Sequence, residues 1–178
     1  MGAGKSSVGR ALGQQLNWGF EDLDDRIERR EGRKIAEIFR DCGEEQFRRA
    51  EHSALRQVLD EFRGGEVKIV ALGGGAFVEE KNAKLLGESA FPTVFLDAPV
   101  EELWRRCSEQ AGESQAERPL LRSQQQFRAL HQTRRNRYAR ASVRIETGGR
   151  SVDAIAREIA KKLGLKKIGI RTEPGEAE

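Results

Sequence analysis

Apolar positions along the chain recur with two periods. Val8, Leu12 and Leu16 repeat every four residues and predict a helix that begins at Lys5. Trp18 to Asp24 reads as a short strand ending in acids, followed by a helix from Asp25 to Glu31 closed by Gly32. Ile35, Ile38 and Phe39 give a short amphipathic helix stopping near Gly43, and a long helix then runs from Glu44 to about Phe62 with Phe47, Ala54, Leu55, Val58 and Leu59 on one face. Val67–Leu72, Pro92–Asp97 and Ala141–Glu146 are strand candidates. Helices over 80–87, from Pro99 onward, over 123–138, and from Ser151 to Leu163 separate or follow them. Strands alternating with helices predict an α/β fold with a parallel sheet covered on both faces. In such a sheet the ligand lies at the carboxyl ends of the strands, which gathers Gly4, Asp22, Asp24, the Gly73-Gly74-Gly75 turn and Asp97 on one rim.

Composition narrows the class. The chain has 178 residues, 37% hydrophobic and 34% charged, which suits one globular domain, 1–165. The segment from Ser108 to Glu117 is polar and predicts a surface flap, and 166–178 lacks periodicity and predicts a disordered tail. No apolar run has the length of a membrane span, no signal-peptide core opens the chain, and Cys42 and Cys107 lack metal-ligand spacing. These features predict a cytoplasmic protein with reduced thiols and no membrane partner. A net charge of +3 is too small to argue for nucleic acid, and the arginines at 134, 135, 137, 140 and 144 lack interleaved aromatics.

The candidate chemistry begins at the amino end. Gly4-Lys5-Ser6 is the back half of a phosphate-binding loop, G-x-x-x-x-G-K-[ST], whose first glycine would lie two positions upstream of Met1. Small residues here let backbone N–H groups curl around phosphate, Lys5 would reach the β- and γ-phosphates, and the Ser6 hydroxyl would sit on Mg²⁺. Asp22 and Asp24 would offer one carboxylate for Mg²⁺ and one to accept a proton from an attacking hydroxyl, although acids also stabilise a helix start. Three glycines after an apolar strand permit a ligand to lie against the main chain, or make a tight turn. Arg134 shares a helix face with Phe127, Leu130 and Tyr138, so its guanidinium needs an anion. Arg48 borders an apolar face with Glu51 three residues on, and Arg118 ends the polar flap.

Taken together, Gly2-Ala3-Gly4-Lys5-Ser6-Ser7-Val8-Gly9-Arg10, Asp22-Leu23-Asp24, Ile35-Ala36-Glu37-Ile38-Phe39, Phe47-Arg48-Arg49 with Glu51, Gly73-Gly74-Gly75-Ala76, Arg118-Pro119-Leu120-Leu121 and Arg134 with Tyr138 resemble the shikimate kinases. The resemblance runs from Met1 to about Leu163. It implies a three-layer α/β/α P-loop kinase fold around a five-stranded parallel sheet, whose central strand would lie upstream of Met1. It further implies transfer of the ATP γ-phosphoryl group to the 3-hydroxyl of shikimate, on the way to chorismate and the aromatic amino acids, by a monomer. Asp24 would bind substrate hydroxyls and act as base, while Arg48, Arg134 and the Gly74 region would hold the carboxylate and Glu51 would orient the arginines. Gly2, Ala3, Gly4, Lys5, Ser6 and Ser7 would cradle the nucleotide, with Ser6 and Asp22 on the metal. Arg118 would be a lid arginine, and Arg106 with Arg150 would lie near the adenine. The substrate-binding segment would span about 24–63 and the lid about 107–121. Asn136 stands where the family usually has proline. The alternatives are another small-molecule kinase of this fold, and a kinase-like binding protein left inactive by the incomplete loop.

Overall fold

Among the described residues, four short strands in parallel pairs are interleaved with seven helices. The computed structural model describes residues 2–110 and 123–168. In chain order the elements are α1 (Lys5–Leu16), β1 (Gly19–Asp22), α2 (Leu23–Glu31), α3 (Ile35–Arg63), β2 (Lys68–Ala71), α4 (Glu80–Glu88), β3 (Val94–Asp97), α5 (Val100–Gln110), α6 (Gln124–Tyr138), β4 (Val143–Glu146) and α7 (Val152–Lys162). β1 pairs with β2, Gly19 opposite Lys68, and β3 pairs with β4, Val94 opposite Val143. The described strands thus form two parallel half-sheets, β1-β2 and β3-β4.

Helices cover both faces, as alternating strands and helices require. On one side Val8, Leu12 and Leu16 of α1 pack with Ile155, Ala156 and Ile159 of α7, over Leu96 and Ile145. On the other, Leu23 and Ile27 of α2 pack with Ile38, Leu55, Val58 and Leu59 of α3. Between the half-sheets lies an apolar cavity of about 500 Å³, bordered by β2 and β3.

Several boundaries differ from the sequence expectation. The strand at 18–24 ends at Asp22, and α2 begins at Leu23; Asp22 caps α2 by accepting the Asp24 N–H at 3.1 Å. Asp22 and Asp24 are therefore not alternate residues of one strand but a cap and the second residue of the helix it starts. The two helices expected either side of Gly43 form one element, bent at Gly43, where φ is 78° and ψ 175°. Ser108–Gln110, expected in the flap, complete the last turn of α5. Lys166–Ile168, expected in the tail, are tied down by the Ile168 N–H bonding to the Leu16 carbonyl at 2.9 Å. The remaining flap and tail lie outside the described residues.

A charge network locks β1 and β2 to the helices above them. Glu21 pairs with Arg26 at 2.7 Å and Lys68 at 3.0 Å, and Glu61 accepts from both cations. Burial pushes the Glu21 carboxyl up, but hydrogen bonds from Arg26, Lys68 and Arg29 prevail and hold it down at about 2. A depressed carboxylate contributes stability that is present above its ordinary value of 4.5 and lost as pH falls from there toward 2. Glu21→Gln should therefore cost about 2–3 kcal/mol at neutral pH, with the gap to the parent closing on acidification. Urea melts at pH 7 and pH 3 check this.

Candidate active site

The turn Gly73-Gly74-Gly75, which follows β2, is the hub. A Cβ added to Gly73 would stand 2.7 Å from Asp24 Oδ1, and one added to Gly75 would stand 2.5 Å from Arg48 Nη1. Between them, the Gly74 carbonyl accepts the Tyr138 hydroxyl. Each glycine thus meets a different element: α2, α6 and α3.

Asp24 is a half-buried carboxyl in the first turn of α2. Burial raises its pKa, Asp22 raises it further, and Lys5 pulls it partly back. A carboxyl poised in this way accepts a proton more readily than a solvated aspartate. Arg48 donates to Glu51 at 2.8 Å and to Glu44 at 3.1 Å. Glu51 is 1% exposed; burial raises its pKa and Arg48 counters. With its back to Glu51, the Arg48 guanidinium is oriented toward the glycine turn. Its Cζ also lies 5.1 Å from the centroid of the Phe47 ring, which stacks on Phe39 at 4.6 Å.

Arg134 is half-buried and forms no ion pair among the described residues. It neighbours Tyr138, whose hydroxyl is raised by burial and pulled back by the Arg134 charge. The Arg137 guanidinium reaches the Val78 carbonyl, so the carboxyl end of α6 is fastened both to the glycine turn and to the segment that follows it. Sequence reasoning gave Tyr138 no role of its own, although it is the chain's only tyrosine and lies on the inward line of α6.

The phosphate loop sits beside this hub. Gly2 and Gly4 have φ values of 64° and 76°, the left-handed backbone that turns successive N–H groups toward one concavity at the start of α1. The Val8 N–H closes the first turn onto the Gly4 carbonyl at 2.8 Å. Gly2 rests against α5, where a Cβ would meet the Leu103 carbonyl at 2.7 Å and Cys107 Sγ at 2.8 Å. Ser6 Oγ donates to Asp22 Oδ2 at 2.7 Å, placing two hard oxygen donors together. Such a pair could hold a hard cation like Mg²⁺, which rarely uses an all-protein cage and would complete its shell with phosphates and water. Among the described residues there is no cluster of three or more His, Cys, Asp or Glu.

Several of the expected residues carry ion pairs. Arg106 is held by Glu102 at 2.6 Å, and Arg150 by Glu158 at 2.6 Å and the Glu146 carbonyl at 2.8 Å. Glu102 also accepts the Gly149 N–H at 3.4 Å, so both arginines border the turn before α7. Asp97, on the expected rim, is engaged by Arg135 and Arg144 at 2.9 and 2.7 Å. Arg118 lies outside the described residues. Ala3 lines the cavity below the loop, and Ser7 is exposed on α1.

A family profile described as "Shikimate kinase" matches residues 1–164. The chain belongs to the shikimate kinase family. A shikimate kinase from Persephonella marina is 35% identical over 164 residues, covering 92% of this chain and 94% of the relative. One from Thermus thermophilus is 40% identical over 167 residues, covering 92% and 85%. Among solved structures, shikimate kinase from Acinetobacter baumannii in complex with shikimate superposes with a TM-score of 0.79 at 32% identity, covering 92% of this chain and 88% of that one. The enzyme from Aquifex aeolicus gives 0.76 at 28% identity, covering 92% and 91%. The two parallel half-sheets between layers of helices are thus this family's P-loop kinase architecture.

The glycine turn offers a sharp test within this family. Gly75→Ala places a methyl against Arg48, whose flexible end can yield, so the melting temperature should change by less than about 2 °C. The displaced guanidinium should nevertheless cost about 10- to 100-fold in kcat/KM for the acceptor. Steady-state kinetics beside a thermal melt separate the two effects.

Proposed function

We propose that this chain transfers the γ-phosphoryl group of ATP to the 3-hydroxyl of shikimate. The observation that carries the reading is the three-glycine turn, which the raised Asp24 carboxyl, the Arg48 guanidinium and the Tyr138 hydroxyl all meet, with the Lys5 charge acting on Asp24. The family membership supports it, as does the Acinetobacter baumannii relative that carries shikimate.

Arg48 and Arg134 present guanidinium groups suited to bidentate capture of the shikimate carboxylate. Glu51 fixes one, and the Tyr138–Gly74 contact holds the helix bearing the other. A ring clamped by its carboxylate turns its hydroxyls toward Asp24. As the 3-hydroxyl oxygen attacks the γ-phosphorus, Asp24 takes its proton, and the bond from the γ-phosphorus to the bridging oxygen breaks, leaving ADP. Lys5 and the loop N–H groups face the charge that builds on the transferred phosphoryl. Mg²⁺, held by Ser6 and Asp22, would supply further positive charge on the phosphate oxygens. Arg118 would add a cation from the lid, and Arg106 and Arg150 would flank the adenine. A monomer in the cytoplasm is the setting we infer, in keeping with two free thiols, Cys42 and Cys107.

The test is a coupled ADP-release assay with shikimate, gluconate and no acceptor, paired with calorimetry of shikimate binding. Release only with shikimate, or shikimate binding that Arg134→Ala weakens, supports the reading. Equal release with gluconate and no measurable shikimate binding would overturn it.

A further inference from the structure

The Tyr138 hydroxyl stands between an unpaired cation and the glycine turn. Residues 134 and 138 are four apart on α6 and so share one face of the helix. The Arg134 guanidinium acts on the phenol oxygen both as a charge and as a hydrogen-bond donor. The hydroxyl proton goes to the Gly74 carbonyl. A phenol can donate and accept at once, so a single oxygen serves both partners. Phe95 of β3 sets the ring from the side, with the two centroids 5.4 Å apart. Tyr138 therefore has little freedom to leave either partner.

The grip on Gly74 has a second effect. The peptide joining Gly74 to Gly75 is trans, so its N–H points opposite to its carbonyl. With the carbonyl drawn toward α6, the Gly75 N–H faces away from that helix. Among the described residues this N–H has no hydrogen-bond acceptor. Gly75 is also the residue that lies against the Arg48 guanidinium. Three glycines in a row offer no Cβ to hold a peptide plane in place, so an outside contact must do it. An N–H held in this way, together with Arg48 oriented by Glu51 and Arg134 oriented by Tyr138, makes three donors for one carboxylate.

We propose that Tyr138 is a positioning residue for the carboxylate of the acceptor. Its hydroxyl locks the Gly74–Gly75 peptide and the Arg134 guanidinium into one arrangement, so that the turn and both arginines meet the same anion. This role rests on the reading that the acceptor is held at the turn by a carboxylate, and it adds the residue that sets the geometry of that hold.

The test pairs shikimate with its methyl ester, which keeps the ring and its hydroxyls but carries no charge at the carboxyl. Tyr138→Phe keeps the ring against Phe95 and leaves Arg137 on the Val78 carbonyl, so α6 should stay in place. Calorimetry should show shikimate affinity falling about 10-fold in the variant, with ester affinity changing by less than about 2-fold. KM for shikimate should rise in step, with kcat within about threefold. Added to Arg134→Ala, Tyr138→Phe should weaken shikimate binding by less than a further 2-fold or so, because the two side chains act as a unit. Tyr138 is the chain's single tyrosine, so a ¹³C label at its Cζ reports on the unaltered protein and guards against a variant that fails to fold. Shikimate should move that signal and the ester should leave it in place. Unchanged shikimate affinity in the variant, equal losses for shikimate and ester, or a fully additive loss in the double variant would make Tyr138 a merely structural residue and overturn the proposal. A Tyr138 signal that is the same in the shikimate and ester complexes would overturn it as well. A parent protein that binds shikimate no more tightly than the ester would overturn the carboxylate reading itself, and this role with it.

Discussion

Replacing Asp24 with asparagine is expected to lower turnover by a factor of about 10² to 10⁴ while leaving shikimate affinity within a few-fold. Asparagine keeps the size of the side chain and its contact with Gly73, but it cannot take a proton from the attacking hydroxyl. The pH profile gives a second reading of the same group. Burial and the neighbouring Asp22 raise the Asp24 pKa, so the acidic limb of kcat should lie above the range of an ordinary aspartate. Protonation below that limb removes the base, and activity falls as pH falls. The variant should lose that limb from its residual rate. A profile unchanged by the substitution would return Asp24 to the role of a first-turn helix acid.

Arg134→Ala should act on the other half of the reaction. A charge-assisted contact to a carboxylate is worth about 1.5–3 kcal/mol, so KM for shikimate should rise by roughly 10- to 150-fold with a smaller change in kcat. Because Arg134 has no carboxylate partner among the described residues, the melting temperature should move little. Initial-rate kinetics at varied shikimate, with ATP saturating, separate this from a structural loss. A fall in melting temperature with unchanged KM would assign Arg134 to the fold.

The contrast between these residues shows what a sequence can hold. Lys5, Ser6 and the glycine turn were legible because their chemistry depends on neighbours in the chain, and a phosphate loop keeps its spacing wherever it occurs. The Arg48–Glu51 pair was legible for the same reason, being three residues apart on one helix face. Asp22 and Asp24 read as strand residues in sequence because an N-cap and a strand end share extended backbone, and only the Asp22–Asp24 hydrogen bond separates them. The Tyr138–Gly74 contact spans 64 residues and had no local signature. Arg106 pairs with Glu102 one turn away on α5, a spacing as local as that of Arg48 and Glu51, whereas Arg150 lies outside the helix that carries its partner Glu158. The helix of α3 ran on past Gly43 because both its arms are amphipathic, and a bend leaves that pattern intact.

That bend has its own consequence. At φ 78° and ψ 175°, Gly43 occupies a backbone region that is nearly closed to any residue with a Cβ. The elbow folds residues 35–42 back so that Phe39 lies on Phe47, next to Arg48. A methyl at Gly43 would strain that elbow and disturb the Phe39–Phe47 contact beside Arg48. The setting of the Arg48 guanidinium thus hangs in part on one missing carbon at the corner of α3.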